Sequence, residues 1–400
     1  MKLRILGIIW LLTACLQAQS LDLNEELFPR PESLLPNINF WKRVYSELDS
    51  NQIIFSDYDD LSLVYQVIDV PSGGKAREQA IKKAKHDLVQ ALKELDQLRP
   101  DSAQDLSGLT QEVYLALENN KQPDKYSRFD NIRAQNGLKK QFEEGYRRSG
   151  AHDQEIRARL RKAGLPEELI GIVFVESLFH PKSKSSVGAT GLWQFMRRTA
   201  HEFMRVNKLV DERLDPIVST DAAIKYLKSA KASLGEWPLA ITSYNYGRGG
   251  MAKAVEMTSS RDFEVILENY ENPRFGFAAR NYYAEFLAAV EIYKQAESIF
   301  PDVEPVSSWA YEIIQLPKPI SVRDLLTIQS LETVWLRTYN PALRTFGHQN
   351  KQILPKGFTL RVPTEHKEKI TKKIAHMPAR SHKKTVKYFT ALPAPTWVAD

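Results

Sequence analysis

Apolar positions fall at helical spacing over most of the chain. In "AREQAIKKAKHDLVQALKELDQL" (Ala76–Leu98), Ile81, Ala84, Leu88, Ala91, Leu92 and Leu95 make one stripe, which predicts a long helix after the break at Ser72-Gly73-Gly74. Upstream, a proline-dotted lead (Phe28–Asn37) gives way to the helical pattern "FWKRVYSEL", and the β-branched and aromatic stretch Asn51–Val70 predicts a short strand pair. Leu109–Asn119 and Ala134–Arg148 read as further helices, and from Asp153 to about Phe300 nearly everything is helical, interrupted at Gly, Pro and Asn. A linker follows in "SIFPDVEPVSSW". Beyond it the strand-like "YEIIQL" and "FTLRVP" flank the helix-like "SVRDLLTIQSLETVWLRTYNPAL", a compact α+β module. The expected organisation is a helical N-terminal region at 21–131, a main helical domain at 132–300, a linker at 301–311, an α+β module at 312–363 and a basic tail at 364–400.

The first 20 residues change the picture. Lys2 and Arg4 precede a short apolar run, Ile5 to Ala14, and small residues follow, which is an export signal rather than a membrane span. Two readings of its end stand side by side. Leu12-Thr13-Ala14-Cys15 resembles a bacterial lipobox, in which case Cys15 carries lipid; a soluble signal peptide would be cut near Ala18 or Ser20. With one cysteine in 400 residues the chain forms no internal disulfide. A net charge of +6 suggests an acidic partner, for which nucleic acid, an anionic membrane and cell-wall carboxylates all qualify; a merely solubilising role is the equal alternative. The tail contributes: His366–Lys387 holds eight Lys or Arg against one acid, Glu368, and reads as a mobile basic arm.

The candidate chemistry lies in "LPEELIGIVFVESLFHPKSKSSVGATGLWQFM" (Leu165–Met196). Glu176 follows Ile172 by four residues and Val173 by three, so it shares their apolar face. Burial raises a carboxyl pKa, which suits a general acid at neutral pH; the competing reading is a helix-end Glu that reaches solvent or a cation. His180-Pro181 ends the helix, and a hydroxyl-rich loop and the aromatic "LWQFM" follow. An acid, hydroxyls and aromatic faces together suit a carbohydrate cleft.

These residues carry a resemblance to the catalytic domain of lytic murein transglycosylases, the group related to goose-type lysozyme. Three motifs occur in family order: Glu176-Ser177 with Gly188-Ala189-x-Gly191-Leu192-Trp193-Gln194-Phe195-Met196 downstream, Tyr244-Asn245-Tyr246-Gly247, and Arg280-Asn281-Tyr282. The lead-in "AQNGLKKQFEEGYRRSGAHDQEIRARLRKAGLPEEL" resembles membrane-bound transglycosylase D proteins, and the likeness covers about Ile132 to Tyr293. Three positions depart from the pattern. Arg197 stands for a proline, Ser243 for an alanine before Tyr-Asn, and Ala278 for an acid two residues before Arg280.

The resemblance implies a mainly α, lysozyme-like catalytic domain that cleaves the β-1,4 bond between N-acetylmuramic acid and N-acetylglucosamine. Glu176 would protonate the glycosidic oxygen and then act as base on the sugar's own C6 hydroxyl, closing a 1,6-anhydro ring. No water is consumed, so the enzyme is a lyase and one carboxylate suffices where most glycosidases use two. Ser185 matches a serine bonding the acetamido group or ring. Gln194 and Met196 match cleft-lining residues, Tyr244 and Asn245 a pair on the cleft wall, and Tyr282 a tyrosine that orients the acid. Trp193 fits a sugar platform and a core position equally; Tyr246 fits packing. The implied partner is the peptidoglycan glycan strand, in the periplasm, with membrane attachment through a lipidated N-terminus if Cys15 is modified. No cofactor is implied. "YNPALR" and "ILPKGFTLRVP" echo a LysM-type module that binds N-acetylglucosamine chains; a structural cap is the alternative.

Other signals carry less. His201-Glu202 opens like a zinc-protease motif, but Arg205 stands where the second His belongs, and no histidines have metal-ligand spacing. Nothing resembles a nucleic-acid module, and nothing fixes an oligomeric state. Two rivals remain: a hydrolase on the same fold, with water guided by an acid such as Asp211 or Asp215, and an inactive wall-binding scaffold.

Overall fold

The computed structural model describes residues 23–100, 102–120, 126–127, 129–328, 333–344 and 352–380. The export signal, Cys15 and the last part of the basic tail lie outside the described residues. The chain runs α1 (Leu35–Ser46), β1 (Gln52–Asp57), β2 (Val64–Asp69), α2 (Gly74–Leu98), α3 (Gly108–Asn119), β3 (Ile132–Asn136), α4 (Lys139–Ser149) and α5 (Asp153–Lys162). The main helical body continues with α6 (Gly171–Ser177), α7 (Arg197–Phe203), α8 (Pro216–Leu234), α9 (Trp237–Tyr246), α10 (Arg248–Thr258), α11 (Phe263–Asn269), α12 (Phe277–Lys294) and α13 (Ala296–Ile299). The C-terminal part holds β4 (Tyr311–Gln315), β5 (Ile320–Ser321), α14 (Val322–Leu325), α15 (Thr333–Tyr339), β6 (Ile353–Leu354), β7 (Thr359–Pro363) and α16 (Lys367–His376). The molecule is predominantly α-helical, with a small C-terminal α+β region.

The N-terminal region is not purely helical. Its sheet has the order β2-β1-β3, antiparallel throughout. The third strand corrects the expected helix over Ala134–Arg148: Ala134–Asn136 pair with β1, and helix begins only at Lys139. The run Ile53-Ile54-Phe55 is continuously apolar because β1 is covered on both faces. Ile53 and Phe55 join the core beneath α2 and α3, where Leu88, Leu92 and Leu95 are fully enclosed, while Ile54 joins the main helical core. Helix α1 also belongs to that main core through Ile38, Trp41, Val44 and Tyr45 and packs along α12.

In the C-terminal part β4 pairs with β7. The tail is not wholly an arm: α16 buries Ile370 and Ile374, four residues apart, in the module's core and leaves its lysines outward. The module's core also takes in Val210 from the main body, which bridges to Leu343. Acids line the seam. Asp215 accepts the Ile217 and Val218 amides at 3.0 and 3.1 Å as N-cap of α8, and its other oxygen takes the Arg361 guanidinium of β7. Asp211 accepts from Arg213 and from Arg344.

Removing one partner of such a pair strands the other. Arg361→Met leaves Asp215, 3% exposed, without its cation and should cost about 3 kcal/mol by urea unfolding. Adding Asp215→Asn should recover part of that loss, and simple additivity of the two changes would show that the pair is not coupled.

Candidate active site

Residues 167–170 form a 3-10 turn, and α6 follows for only seven residues. Ile172, Val173 and Phe174 are fully buried. Gly171 permits the approach of α12: a Cβ there would stand 2.4 Å from Val290 Cγ2 and 3.1 Å from Phe286. The helix stops at Ser177, three residues before the expected His180-Pro181, because Leu178 and Phe179 take the left-handed conformation (φ 47° and 55°). Arg148 of α4 holds that turn by donating to the Leu178 and Phe179 carbonyls at 2.7 and 3.3 Å.

Glu176 therefore sits on the last turn of an apolar helix facing α12. The Tyr282 hydroxyl donates to Glu176 Oε1 at 2.5 Å. Two effects oppose each other on this carboxyl. Burial disfavours the charge and the Tyr282 hydrogen bond favours it; burial wins, and the pKa is pushed up to about 7. A group that is half protonated at neutral pH can give a proton and take one back. Tyr282 is itself buried, and its pKa is pushed upward first by desolvation and then by Glu176, so it stays a neutral donor.

The loop after α6 is tied down by backbone contacts. Ser177 Oγ donates to the Leu192 carbonyl at 2.8 Å, and the Tyr244 hydroxyl donates to the Trp193 carbonyl at 2.8 Å. Arg213 Nη1 donates to the Gly188 and Phe195 carbonyls, both at 3.0 Å, while Asp211 holds its guanidinium from behind. Gly191 has φ +86°, and a Cβ there would lie 1.7 Å from the Arg213 carbonyl oxygen, so no side chain fits.

The residues singled out from the sequence are placed unequally. Glu176, Tyr282 and Tyr244 come together: Tyr244, on α9, lies within electrostatic reach of both others. Gln194 is half-buried with φ +44°, and its amide nitrogen is spent on the Ser183 and Gly191 carbonyls at 3.2 and 2.8 Å. Ser185 Oγ accepts the Ala189 amide at 3.0 Å, leaving its proton for another acceptor. Met196 (43% exposed) and Asn245 face solvent. Trp193 is core: it is 0% exposed and its Nε1 donates to Thr220 Oγ1 at 2.9 Å. Tyr246 packs edge-on to Phe275. Asp211 and Asp215 are both taken up in the C-terminal seam. Sequence reasoning missed Glu285 on α12, whose pKa is pushed up to about 8, chiefly by burial and then by Glu176. Its only sequence signal is its place one turn after Tyr282 in an alanine-rich helix. Among the described residues no group of His, Cys, Asp and Glu could hold a metal ion, and no helix is long and apolar enough to cross a membrane.

The raised Glu176 pKa has a sign for stability. The folded carboxyl keeps its proton up to about pH 7 while the unfolded one loses it near 4.5, so stability falls as pH rises through that window. Glu176→Gln should leave the melting temperature unchanged at pH 4. At pH 8 it should raise stability by on the order of 2 kcal/mol, discounted for partial exposure. Tyr282→Phe removes the one effect that lowers this pKa, so the Glu176 carboxyl resonance should titrate above the wild-type midpoint. Any turnover should fall on the order of 10–100-fold. Gly191→Ala should destabilise by roughly 2–4 kcal/mol in thermal unfolding.

Residues 154–267 match the family described as Transglycosylase SLT domain. That span contains Glu176, Ser185, Gln194, Met196, Tyr244 and Asn245, while Tyr282 and Glu285 lie beyond it. Membrane-bound lytic murein transglycosylase D of Escherichia coli K12 is 24% identical over 244 residues, 57% of this chain and 52% of the relative, as is its counterpart in E. coli O6:H1. The chain thus spans about half the length of the curated relatives it matches. Among solved structures, an inactive mutant of the lytic transglycosylase Slt from Pseudomonas aeruginosa aligns with TM-score 0.32 and 19% identity, covering 56% of this chain and 32% of that one. The 70 kDa soluble lytic transglycosylase SLT70 of E. coli aligns with TM-score 0.29 and 17% identity, covering 56% and 44%. The chain is thus similar to a transglycosylase SLT domain over residues 154–267 and to membrane-bound lytic murein transglycosylase D over about half of each chain.

Proposed function

We propose that the protein is a peptidoglycan lytic transglycosylase. The observation that carries this reading is Glu176, half-buried on α6 and held by the Tyr282 hydroxyl at 2.5 Å, with its pKa pushed up to about 7 by desolvation. In the first half-reaction the Glu176 carboxyl gives its proton to the oxygen linking N-acetylmuramic acid to N-acetylglucosamine, and the muramic C1–O bond breaks. In the second, the Glu176 carboxylate takes the proton of the C6 hydroxyl, and O6 bonds to C1. The 1,6-anhydro end forms, the acid is restored and no water enters. The cycle needs one group that is a fair acid and a fair base at the same pH, and a pKa near 7 meets both demands.

Supporting groups follow from what each atom has left to offer. The Ser185 hydroxyl proton and the Gln194 carbonyl oxygen are available to sugar amides and hydroxyls once their loop contacts are made. Met196 and Asn245 form a solvent-facing rim for the strand, and Tyr244 braces the wall. The family likeness and the lysozyme-like reading of the helical body point the same way. The seam acids speak against the hydrolase, because Asp211 and Asp215 are held by arginines. For the C-terminal region we propose a LysM-like module, supported by its strand-helix-helix-strand order and by the pairing of β4 with β7. The amino-terminal signal supports export to the periplasm, with outer-membrane attachment if Cys15 is lipidated.

Mass spectrometry of peptidoglycan digested by the full chain, beside Glu176→Gln, tests the reading. The expected products end in anhydromuramic acid, one water lighter than reducing ends, and the variant yields none. Reducing ends would replace the lyase with a hydrolase, and no fragments from a folded protein would replace the enzyme with a wall-binding scaffold.

A further inference from the structure

The loop that follows α6 is fastened at both of its sides. Ser177, next to Glu176, donates to the Leu192 carbonyl at 2.8 Å, which ties the loop to the acid's own turn. Arg213 ties the other side through the Gly188 and Phe195 carbonyls, both at 3.0 Å. A guanidinium this deep, 5% exposed, needs a counter-charge, and Asp211 supplies it in a fork. Arg213 Nε donates to Asp211 Oδ1 at 2.9 Å and Nη2 to Oδ2 at 3.0 Å. Asp211 is itself 1% exposed, and the C-terminal module places it. Its amide donates to the Ala342 carbonyl at 2.8 Å, the Arg344 amide donates to the Leu209 carbonyl at 3.1 Å, and Val210 bridges to Leu343. The Arg344 side chain closes the series by donating to Asp211 Oδ2. A line of hydrogen bonds thus runs from Arg344 through Asp211 and Arg213 to the loop, exposed at Arg344 and enclosed at the two residues between.

We propose that Arg344 is a positioning residue for the active site: by holding Asp211 in place behind Arg213, it makes the C-terminal module order the loop that carries Ser185, Gln194 and Met196. This role rests on those residues meeting the glycan strand in the proposed reaction. Asp211 Oδ2 serves two guanidiniums. Without Arg344 the carboxylate keeps its fork to Arg213 but loses the partner that fixes its own direction, and the pair can swing together. The two carbonyl contacts of Arg213 then lengthen, and they hold the loop at Gly188 and at the residue before Met196. Gly191 already abuts the Arg213 backbone, where a Cβ would meet the carbonyl oxygen at 1.7 Å, so a shift of Arg213 is passed to the loop rather than absorbed. Glu176 stays on α6 with its Tyr282 bond, so the module acts on how the sugar is held and not on the acid. The module is then part of the active-site framework, in addition to any hold it has on the wall.

The test is hydrogen exchange of the full chain, read by mass spectrometry over residues 183–196, beside digestion kinetics on soluble peptidoglycan strands, all well below the melting temperature of each variant. The Gly191 and Gln194 amides, bonded to the Ser183 and Gly191 carbonyls at 2.9 and 3.2 Å, should exchange about tenfold faster in Arg344→Met. KM should rise on the order of tenfold with kcat within about twofold, the pattern of lost binding at unchanged chemistry. Arg344→Lys, which keeps the charge, should recover part of both. In an Asp211→Asn chain, Arg344→Met should add little, because its route is already cut. Ile374→Val, which loosens the module's core away from the seam, should change neither reading. Loop exchange unmoved by Arg344→Met overturns the proposal, as does an equal acceleration in Ile374→Val, a loss confined to kcat, or a full Arg344→Met effect on top of Asp211→Asn. If Arg344→Met does not fold, Arg344→Gln is read by the same exchange measurement, and an unmoved loop overturns the proposal there. A wild type that releases no anhydro ends fails the proposed reaction instead, while exchange still reads the hold on the loop.

Discussion

The approach of α6 to α12 is the constraint on which the site depends. Gly171 lets Val290 and Phe286 press against the start of α6, and the apolar turn that follows holds Glu176, half-buried, against α12, where desolvation outweighs its hydrogen bond. A carboxyl in such a place must be neutralised or given donors. Tyr282 supplies one donor, enough to fix the geometry and too little to cancel desolvation. A second strong donor or an adjacent arginine would return the group to the ordinary carboxylate range and remove its value as an acid. The chain keeps its arginines one step away: Arg148 on the carbonyls after α6, and Arg133 across from Glu285.

The loop beside the acid is held by a different device. Its carbonyls are claimed by Ser177, Tyr244 and Arg213, and its glycine by the absence of room for a Cβ. These contacts bind backbone, so they place the loop while leaving side chains such as Ser185 part of their capacity. Arg213 does this only because Asp211 neutralises it from the other side, and Asp211 is also the residue that Arg344 of the C-terminal part grips. Docking of the module and order in the loop therefore meet in one carboxylate. Arg197, where the resemblance leads to an expected proline, is compatible with this scheme: it begins α7, faces solvent and donates to the Val206 carbonyl at 3.3 Å.

Glu176 was legible in the sequence because a charge on an apolar helical face violates the pattern, and Tyr282 and Tyr244 because they stand in motifs at fixed order. Glu285 was not, since an acid between alanine and phenylalanine on a helix reads as an outward residue until α1, α6 and β3 are seen to converge there. Strand β3 was misread for a related reason. "IRAQN" has little strand propensity and becomes strand by pairing with β1, an arrangement settled by distant residues. The lysines of α16 hid a two-residue apolar stripe, Ile370 and Ile374, that only the module's core reveals. Trp193 shows the opposite limit: an aromatic beside a candidate cleft reads equally as surface platform or core, and the Thr220 hydroxyl that its Nε1 bonds in the core lies on α8.

The charge of the protein and its chemistry are placed apart, and they obey different rules. The exposed lysines of α16, Lys369, Lys372 and Lys373, act through water and salt, where attraction to an anionic polymer fades over about 8 Å at physiological ionic strength. They attract an anionic polymer only at short range, and none of them is among the groups that shift the Glu176 carboxyl. Glu176 instead lies half-buried between α6 and α12, where desolvation sets its ionisation. That separation lets overall charge vary without disturbing the acid, so long as α6, α12 and β3 keep their places.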